Sequence, residues 1–150
     1  MRQVIVGIGN TFRGDDGIGR HVAQRLIDIV PSDVTVLEEN GEAADLMEAW
    51  KHADRAILID AMTSGVAPGT VMRFNATQLP LPGEMFPHFS THTYSVSESI
   101  ELARTLERLP SKVVVFGIEG KDFETGAGLS PEVERATENV IGLILREIGC

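Results

Sequence analysis

Residues 4–19 read VIVGIGNTFRGDDGIG and carry the strongest structural signal in the chain. The apolar run at the start predicts a buried strand, and glycines then lead into two adjacent carboxylates, Asp15 and Asp16, where a helix should begin. A glycine-rich strand-to-helix turn usually binds phosphate, because its free N–H groups and the helix dipole attract anions. Two carboxylates at that place repel a phosphate and attract a cation. The turn therefore indicates a metal or acid site rather than a nucleotide site.

Outward from this turn, strand-like and helix-like segments alternate along the chain. The predicted strands are residues 3–8, 34–37, 55–59, 70–74 and 112–118. The predicted helices run from Asp15 or Asp16 to about residue 30, over 42–50 and 95–109, and from a serine N-cap at 130 to about 147. We expect an α/β fold, a three-layer α/β/α sandwich with a mostly parallel twisted central sheet, in a single domain of residues 1–150. Residues 75–93 form a long loop, of a kind that is often functional.

The composition excludes several classes of protein. The chain has 150 residues, 43% of them hydrophobic, and a net charge of -9 at pH 7. This charge makes nucleic acid a poor partner, and no apolar run approaches the length of a membrane span. The one cysteine, Cys150, excludes an internal disulfide, and the start of the chain lacks the pattern of a signal peptide. We therefore expect a cytoplasmic protein.

Two candidate site residues follow predicted strands. In a sheet of parallel strands, ligands bind beyond the carboxyl ends of the strands. Asp16 follows the first strand and Asp60 closes the apolar run 56–59, so neighbouring strands would bring both to one edge of the sheet. We expect Asp15 to cap the following helix and Asp16 to face a ligand. For Asp60, a capping or turn role remains the alternative.

A histidine completes the candidate site. His88 and His92 lie in the long loop, and His92 lies just before a predicted helix that would hold it in place. One imidazole with two carboxylates suits a transition ion such as nickel or zinc. Other templates fail: there is no HExxH, Phe12 stands where the dinucleotide fingerprint needs glycine, and Asp15 stands where a P-loop needs lysine.

Several short motifs occur in a specific order over nearly the whole chain. They are GIGN at 7–10, GDDGIG at 14–19, DA at 60–61, TH at 91–92, GIEG at 117–120 and GLSPEV at 128–133. Together they resemble the motifs of the hydrogenase maturation endopeptidases. The resemblance implies a three-layer α/β fold and a protease that acts on the large-subunit precursor of a nickel–iron hydrogenase. Such a protease removes a C-terminal peptide after nickel has been inserted.

The resemblance also implies the site residues. Asp16, Asp60 and His92 match the metal-contacting positions, so we expect them to be catalytic and to recognise nickel delivered within the precursor. The family often has glutamate at the first position, where this chain has the shorter aspartate. After the second strand, residues 39–42 read ENGE in place of an Asp-Gly-Gly-Thr-like turn that the family uses in substrate handling. Glu39 is a further candidate for the site.

Two alternatives remain open from the sequence. A non-proteolytic nickel-binding maturation chaperone would bind metal tightly and leave the mass of its partner unchanged. A peptidyl-tRNA hydrolase also begins with a strand followed by Gly-x-Gly-Asn, but proline and glycine come next there, whereas Thr11 and Phe12 stand here. For the protease, activation of water by a carboxylate and polarisation by the ion are equally open.

Overall fold

The computed structural model describes residues 1–86 and 95–149. Within these ranges the strands are β1 (Gln3–Ile8), β2 (Val34–Glu39), β3 (Arg55–Met62), β4 (Val71–Asn75) and β5 (Lys112–Glu119). The α-helices are α1 (Ile18–Leu26), α2 (Ala43–Trp50), α3 (Val96–Thr105) and α4 (Pro131–Glu147). Short 3₁₀ turns lie at Gly14–Gly17 and Gly83–Met85.

The strands form one sheet in the order β2-β1-β3-β5-β4, in which β4 alone runs antiparallel to its neighbour. Side chains alternate across the sheet, so that Leu58 of β3 lies in one apolar core and Ile57 and Ile59 lie in the other. Helices α2 and α3 cover the first core and α1 and α4 cover the second. The predicted α/β/α sandwich with a mostly parallel sheet is confirmed. Among the described residues, no helix is both long enough and apolar enough to cross a membrane.

The chain changes direction across the sheet between β1 and β3. From β1 it passes through α1 to β2 on one side, and α2 then returns it to β3 on the other side of β1. Such a reversal opens a crevice outside the carboxyl ends of the two central strands, because their connections leave in opposite directions. The residues that follow β1 and the end of β3 border this crevice.

Helix α1 approaches the sheet closely at Gly19. A Cβ atom on Gly19 would lie 2.3 Å from the carbonyl oxygen of Ile59 and 2.4 Å from that of Ile8. Only a glycine permits this separation. Part of the glycine motif that suggested a ligand turn is therefore explained by packing, and this packing holds the start of α1 over the carboxyl ends of β1 and β3.

The first predicted helix ends earlier than expected. We predicted it to about residue 30, but α1 ends at Leu26, and Ile29 is exposed. A proline follows at 31, and proline disfavours helical backbone in the residue before it. The helix is also preceded by a separate 3₁₀ turn at Gly14–Gly17, which contains both aspartates.

Helix α3 also ends before its predicted limit of residue 109, at Thr105. Glu107 adopts a left-handed φ of 57°, and the N–H of Arg108 donates to the carbonyl of Ala103. This arrangement closes the C-terminus of a helix. Strand β3 continues through Met62, whereas we predicted that it ends at residue 59. Asp60 therefore lies inside the strand and not after it.

Candidate active site

The candidate site lies at the crevice between β1 and β3. The pairing of these strands ends at Gly7 and Ile59, whereas β3 continues beside β5, with Asp60 opposite Gly117. Asp60 is therefore the first β3 residue beyond the last β1 pair. At Asp60, β3 is still paired with β5 but no longer with β1.

Asp16 reaches the same crevice from the 3₁₀ turn that follows β1. Its Oδ2 accepts a hydrogen bond from the N–H of Asn10 at 2.9 Å, and the residue is 8% exposed. Gly9 has a φ of 137°, and a Cβ atom there would lie 1.9 Å from the carbonyl oxygen of Asp16. The glycine therefore allows the turn to fold back on β1, and this fold-back sets the position of Asp16.

Asp60 is buried on β3. Its Oδ1 accepts a hydrogen bond from the N–H of Ala61 at 2.9 Å, and the residue is 5% exposed. This bond to the next N–H matches the local role that we kept as the alternative for Asp60. The carboxylate nevertheless lies at the crevice, and the one hydrogen bond that it accepts from the described residues occupies one of its several lone pairs.

The two carboxylates interact electrostatically. Burial raises the pKa of Asp60 well above its usual range, and the negative charge of Asp16 raises that pKa further. Burial also raises the pKa of Asp16, against the opposing effects of the Asn10 N–H and the positive charges of Arg13 and Arg20. Two such acids are stabilised by a shared proton or by a cation. The prediction that Asp16 and Asp60 meet at one edge of the sheet is confirmed.

Asp15 has a different role from the one we predicted. Neither the 3₁₀ turn nor α1 has a side-chain cap. The fully buried carboxylate of Asp15 instead accepts from the N–H groups of Lys121, Asp122 and Ser130, at 2.7, 3.0 and 2.7 Å. The hydroxyl of Ser130, the N-cap residue of α4, also donates to Asp15, at 2.9 Å. Asp15 thus joins the glycine turn to the segment between β5 and α4.

Glu39 lies at the end of β2, on the same edge of the sheet. Its carbonyl accepts from the N–H of Gly9 at 3.2 Å. Its side chain is half-buried, and burial together with the charge of Asp45 raises its pKa, while Arg20 lowers it. Glu39 therefore stays a candidate at the rim of the site.

Comparisons with known proteins identify the family. The family model for hydrogenase maturation proteases matches residues 20–147. The chain belongs to this family. It is 28% identical to the hydrogenase 2 maturation protease of Escherichia coli, over 99% of this chain and 93% of that protein.

Solved structures of the same family share the fold. The hydrogenase maturating endopeptidase HybD from E. coli matches with a TM-score of 0.83 and 26% identity, over 99% of this chain and 94% of that one. The NiFe hydrogenase maturation protease HycI from Thermococcus kodakarensis matches with a TM-score of 0.72 and 29% identity, over 97% of this chain and 90% of that one. Membership places the chain among proteases of hydrogenase maturation, and it favours that prediction over a peptidyl-tRNA hydrolase.

His92, the third residue predicted to contact a metal ion, lies outside the described residues, as does His88. Among the described residues, no group of three or more His, Cys, Asp or Glu side chains is arranged to hold a metal ion. The full three-residue site stays a prediction.

Our sequence analysis assigned no role to Arg20. Its Nε donates to the carbonyl of Gly9 at 2.6 Å, and its Nη2 donates to Oδ1 of Asn40 at 2.8 Å. The guanidinium therefore joins the turn after β1 to the turn after β2, and its charge acts on both Asp16 and Glu39. The one signal in the sequence was its position directly after the last glycine of the motif.

Glu119 is another buried acid at this edge of the sheet, with a structural role. Its carboxylate accepts from the N–H and the hydroxyl of Ser64 and from the N–H of Gly65. These bonds hold the loop after β3 against the end of β5. Glu119 is therefore already paired and is a weaker candidate for metal contact than Asp16 or Asp60.

Proposed function

We propose that this protein is an endopeptidase that removes the C-terminal extension of a nickel–iron hydrogenase large-subunit precursor after nickel insertion. The observation that carries the proposal is the pair of buried carboxylates, Asp16 and Asp60, at the crevice between β1 and β3, where the charge of Asp16 raises the pKa of Asp60. We further propose that the reaction takes place in the cytoplasm, as the single cysteine of the chain favours.

The chemistry of the carboxylate pair fits a divalent cation carried by the substrate. Each carboxylate accepts one backbone hydrogen bond that the structure describes, from Asn10 or from Ala61. The remaining lone pairs and the mutual repulsion favour an ion bound between them. In this proposal, Asp16 and Asp60 contact nickel already held by the precursor, and His92 supplies a neutral imidazole as the third contact.

Hydrolysis of the peptide bond requires a base and an acid. Water adds its oxygen to the carbonyl carbon and gives up a proton, the C–N bond breaks, and the leaving nitrogen takes a proton to become an amine. A carboxylate whose pKa is raised by burial suits the proton-accepting role, and Asp60 has the stronger upward shift. Polarisation of the carbonyl by the substrate's ion is the alternative route to the same products.

The same pair explains how a precursor without nickel would be rejected. Docking of any precursor removes water from Asp16 and Asp60. Without a cation, the negative charge of the pair would then be buried without a counter-charge, which is costly. We therefore expect the nickel-free precursor to bind more weakly than the loaded one, and cleavage to wait for metal insertion.

The direct test incubates nickel-loaded precursor with wild type, Asp16→Asn and Asp60→Asn, and follows the mass of the precursor. We expect wild type to shorten the precursor and each variant to cleave at least about 100-fold more slowly, the usual contribution of a positioned acid or base. Asp33→Asn, a change at an exposed aspartate, is the matched control and should cleave at the wild-type rate. Wild-type cleavage by either site variant would remove that carboxylate from the mechanism.

A nickel carrier is the second candidate, because the same carboxylate pair would also suit transient binding of a free ion. The two functions differ in what happens to the partner. A protease lowers the mass of the precursor, whereas a carrier transfers nickel and leaves that mass unchanged. Nickel transfer to the precursor without any change in its mass would favour the carrier.

A further inference from the structure

Phe12 is the most exposed large apolar side chain among the described residues, at 76%. It lies in the turn between β1 and the 3₁₀ helix that contains Asp16. Its ring contributes little to either apolar core. A single exposed apolar side chain is common on protein surfaces, but one that lies beside a candidate site is a candidate contact for the binding partner.

The backbone that carries Phe12 is held on both sides. The N–H of Phe12 donates to Oδ1 of Asn10 at 2.9 Å, and its carbonyl accepts from the N–H of Gly126 at 2.8 Å. The N–H of Gly14 donates to the carbonyl of Ala127 at 3.1 Å. The ring is therefore exposed on a fixed support. A preorganised apolar group of this kind loses little conformational entropy when it binds.

The same turn connects Phe12 to the carboxylate pair. Asn10, whose side chain accepts from the N–H of Phe12, donates its own N–H to Oδ2 of Asp16. Asn10 thus fixes both the backbone of Phe12 and the carboxylate of Asp16. Phe12 therefore lies in the same turn as one of the two carboxylates to which the precursor would present its ion.

We propose that Phe12 anchors the precursor by inserting its ring into an apolar pocket on the precursor surface beside the metal-bearing segment. The inference rests on the proposed function and adds a binding residue to it. Aromatic side chains are the usual anchors at the centre of protein interfaces. Phe12 lies outside the carboxylate pair, so it affects docking and not the chemical step.

The test compares steady-state cleavage of nickel-loaded precursor by wild type, Phe12→Ser, Phe12→Leu and Leu79→Ser. Leu79 is a matched control, since it is 71% exposed and lies near Arg55 and Lys112, which begin β3 and β5 at the opposite edge of the sheet. We expect Phe12→Ser to raise KM about 10-fold or more with kcat unchanged, as for loss of an interface anchor. Phe12→Leu should recover most of the loss, and Leu79→Ser should match wild type.

Two results would overturn the inference: a wild-type KM for Phe12→Ser, or an equal increase in KM for Leu79→Ser. Direct binding of the precursor to wild type and to Phe12→Ser separates this inference from the proposed function. If wild type binds the precursor without cutting it, and Phe12→Ser binds more weakly, the protease proposal fails and the anchor stands. If wild type cuts and Phe12→Ser binds and cuts equally well, only the anchor fails.

Discussion

Replacement of Asp15 by asparagine should lower the free energy of unfolding strongly, whereas the same change at the neighbouring Asp16 should not lower it. Asp15 accepts from three N–H groups and one hydroxyl, at 2.7 to 3.0 Å, without exposure to water. Asparagine keeps one acceptor oxygen, so in either orientation its NH₂ group faces at least one buried donor. One unsatisfied buried donor costs about 1–3 kcal/mol, and the remaining bonds lose the assistance of the charge. The total loss is therefore about 3 kcal/mol.

For a chain of this length, such a loss lowers Tm by roughly 6–12 °C, since each kcal/mol is worth roughly 2–4 °C. Thermal unfolding of Asp15→Asn and Asp16→Asn measures the contrast. Asp16 accepts one described hydrogen bond, which the amide oxygen can keep, and its charge is disfavoured by burial, so Asp16→Asn should keep or raise Tm. A Tm for Asp15→Asn within about 2 °C of wild type, or an equal fall for Asp16→Asn, would refute the structural role of Asp15.

Two further predictions concern Asp60 and Gly19. In the metal-free protein the raised pKa of Asp60 means that the folded state keeps a proton that the unfolded state loses above about pH 4, so stability falls as pH rises through the folded pKa. The Tm advantage of Asp60→Asn, measured with chelator present, should therefore grow as the pH is raised above about 4, and a constant difference would contradict this. Gly19→Ala should lower stability in urea by about 1–3 kcal/mol, because its Cβ would meet backbone oxygens 2.3 and 2.4 Å away. Gly142→Ala in α4, where a Cβ has no neighbour within 4 Å, should instead add up to about 1 kcal/mol, and equal effects would disprove the close approach of α1.

The elements themselves were predictable because their signals are local. The β-branched run of β1 and the Ser130-Pro131 start of α4 depend on residues adjacent in the chain, and both appear at the predicted positions. Helix ends were less predictable. Helix α3 ends at Thr105 because Glu107 adopts a left-handed backbone conformation. A glutamate gives no sequence signal for that conformation.

The candidate site was predictable in part, for a different reason. The order of strands and helices places the residues after β1 and at the end of β3 on one edge of a parallel sheet, so the meeting of Asp16 and Asp60 follows from topology. Topology does not determine which of two adjacent side chains faces the crevice and which is buried in the protein. Asp15 and Asp16 are chemically identical neighbours, and the donors that occupy Asp15 come from residues more than a hundred positions away.

From its sequence alone, this protein is determined to be an α/β member of its family with two aspartates at the carboxyl edge of the sheet. The periodicity of apolar residues and the order of short motifs are sufficient for that, because both are properties of neighbouring positions. The tertiary structure decides which aspartate is structural and which faces the crevice. It also decides that Phe12 is exposed on a fixed turn, because burial and hydrogen-bond partners depend on segments that meet only when the chain is folded.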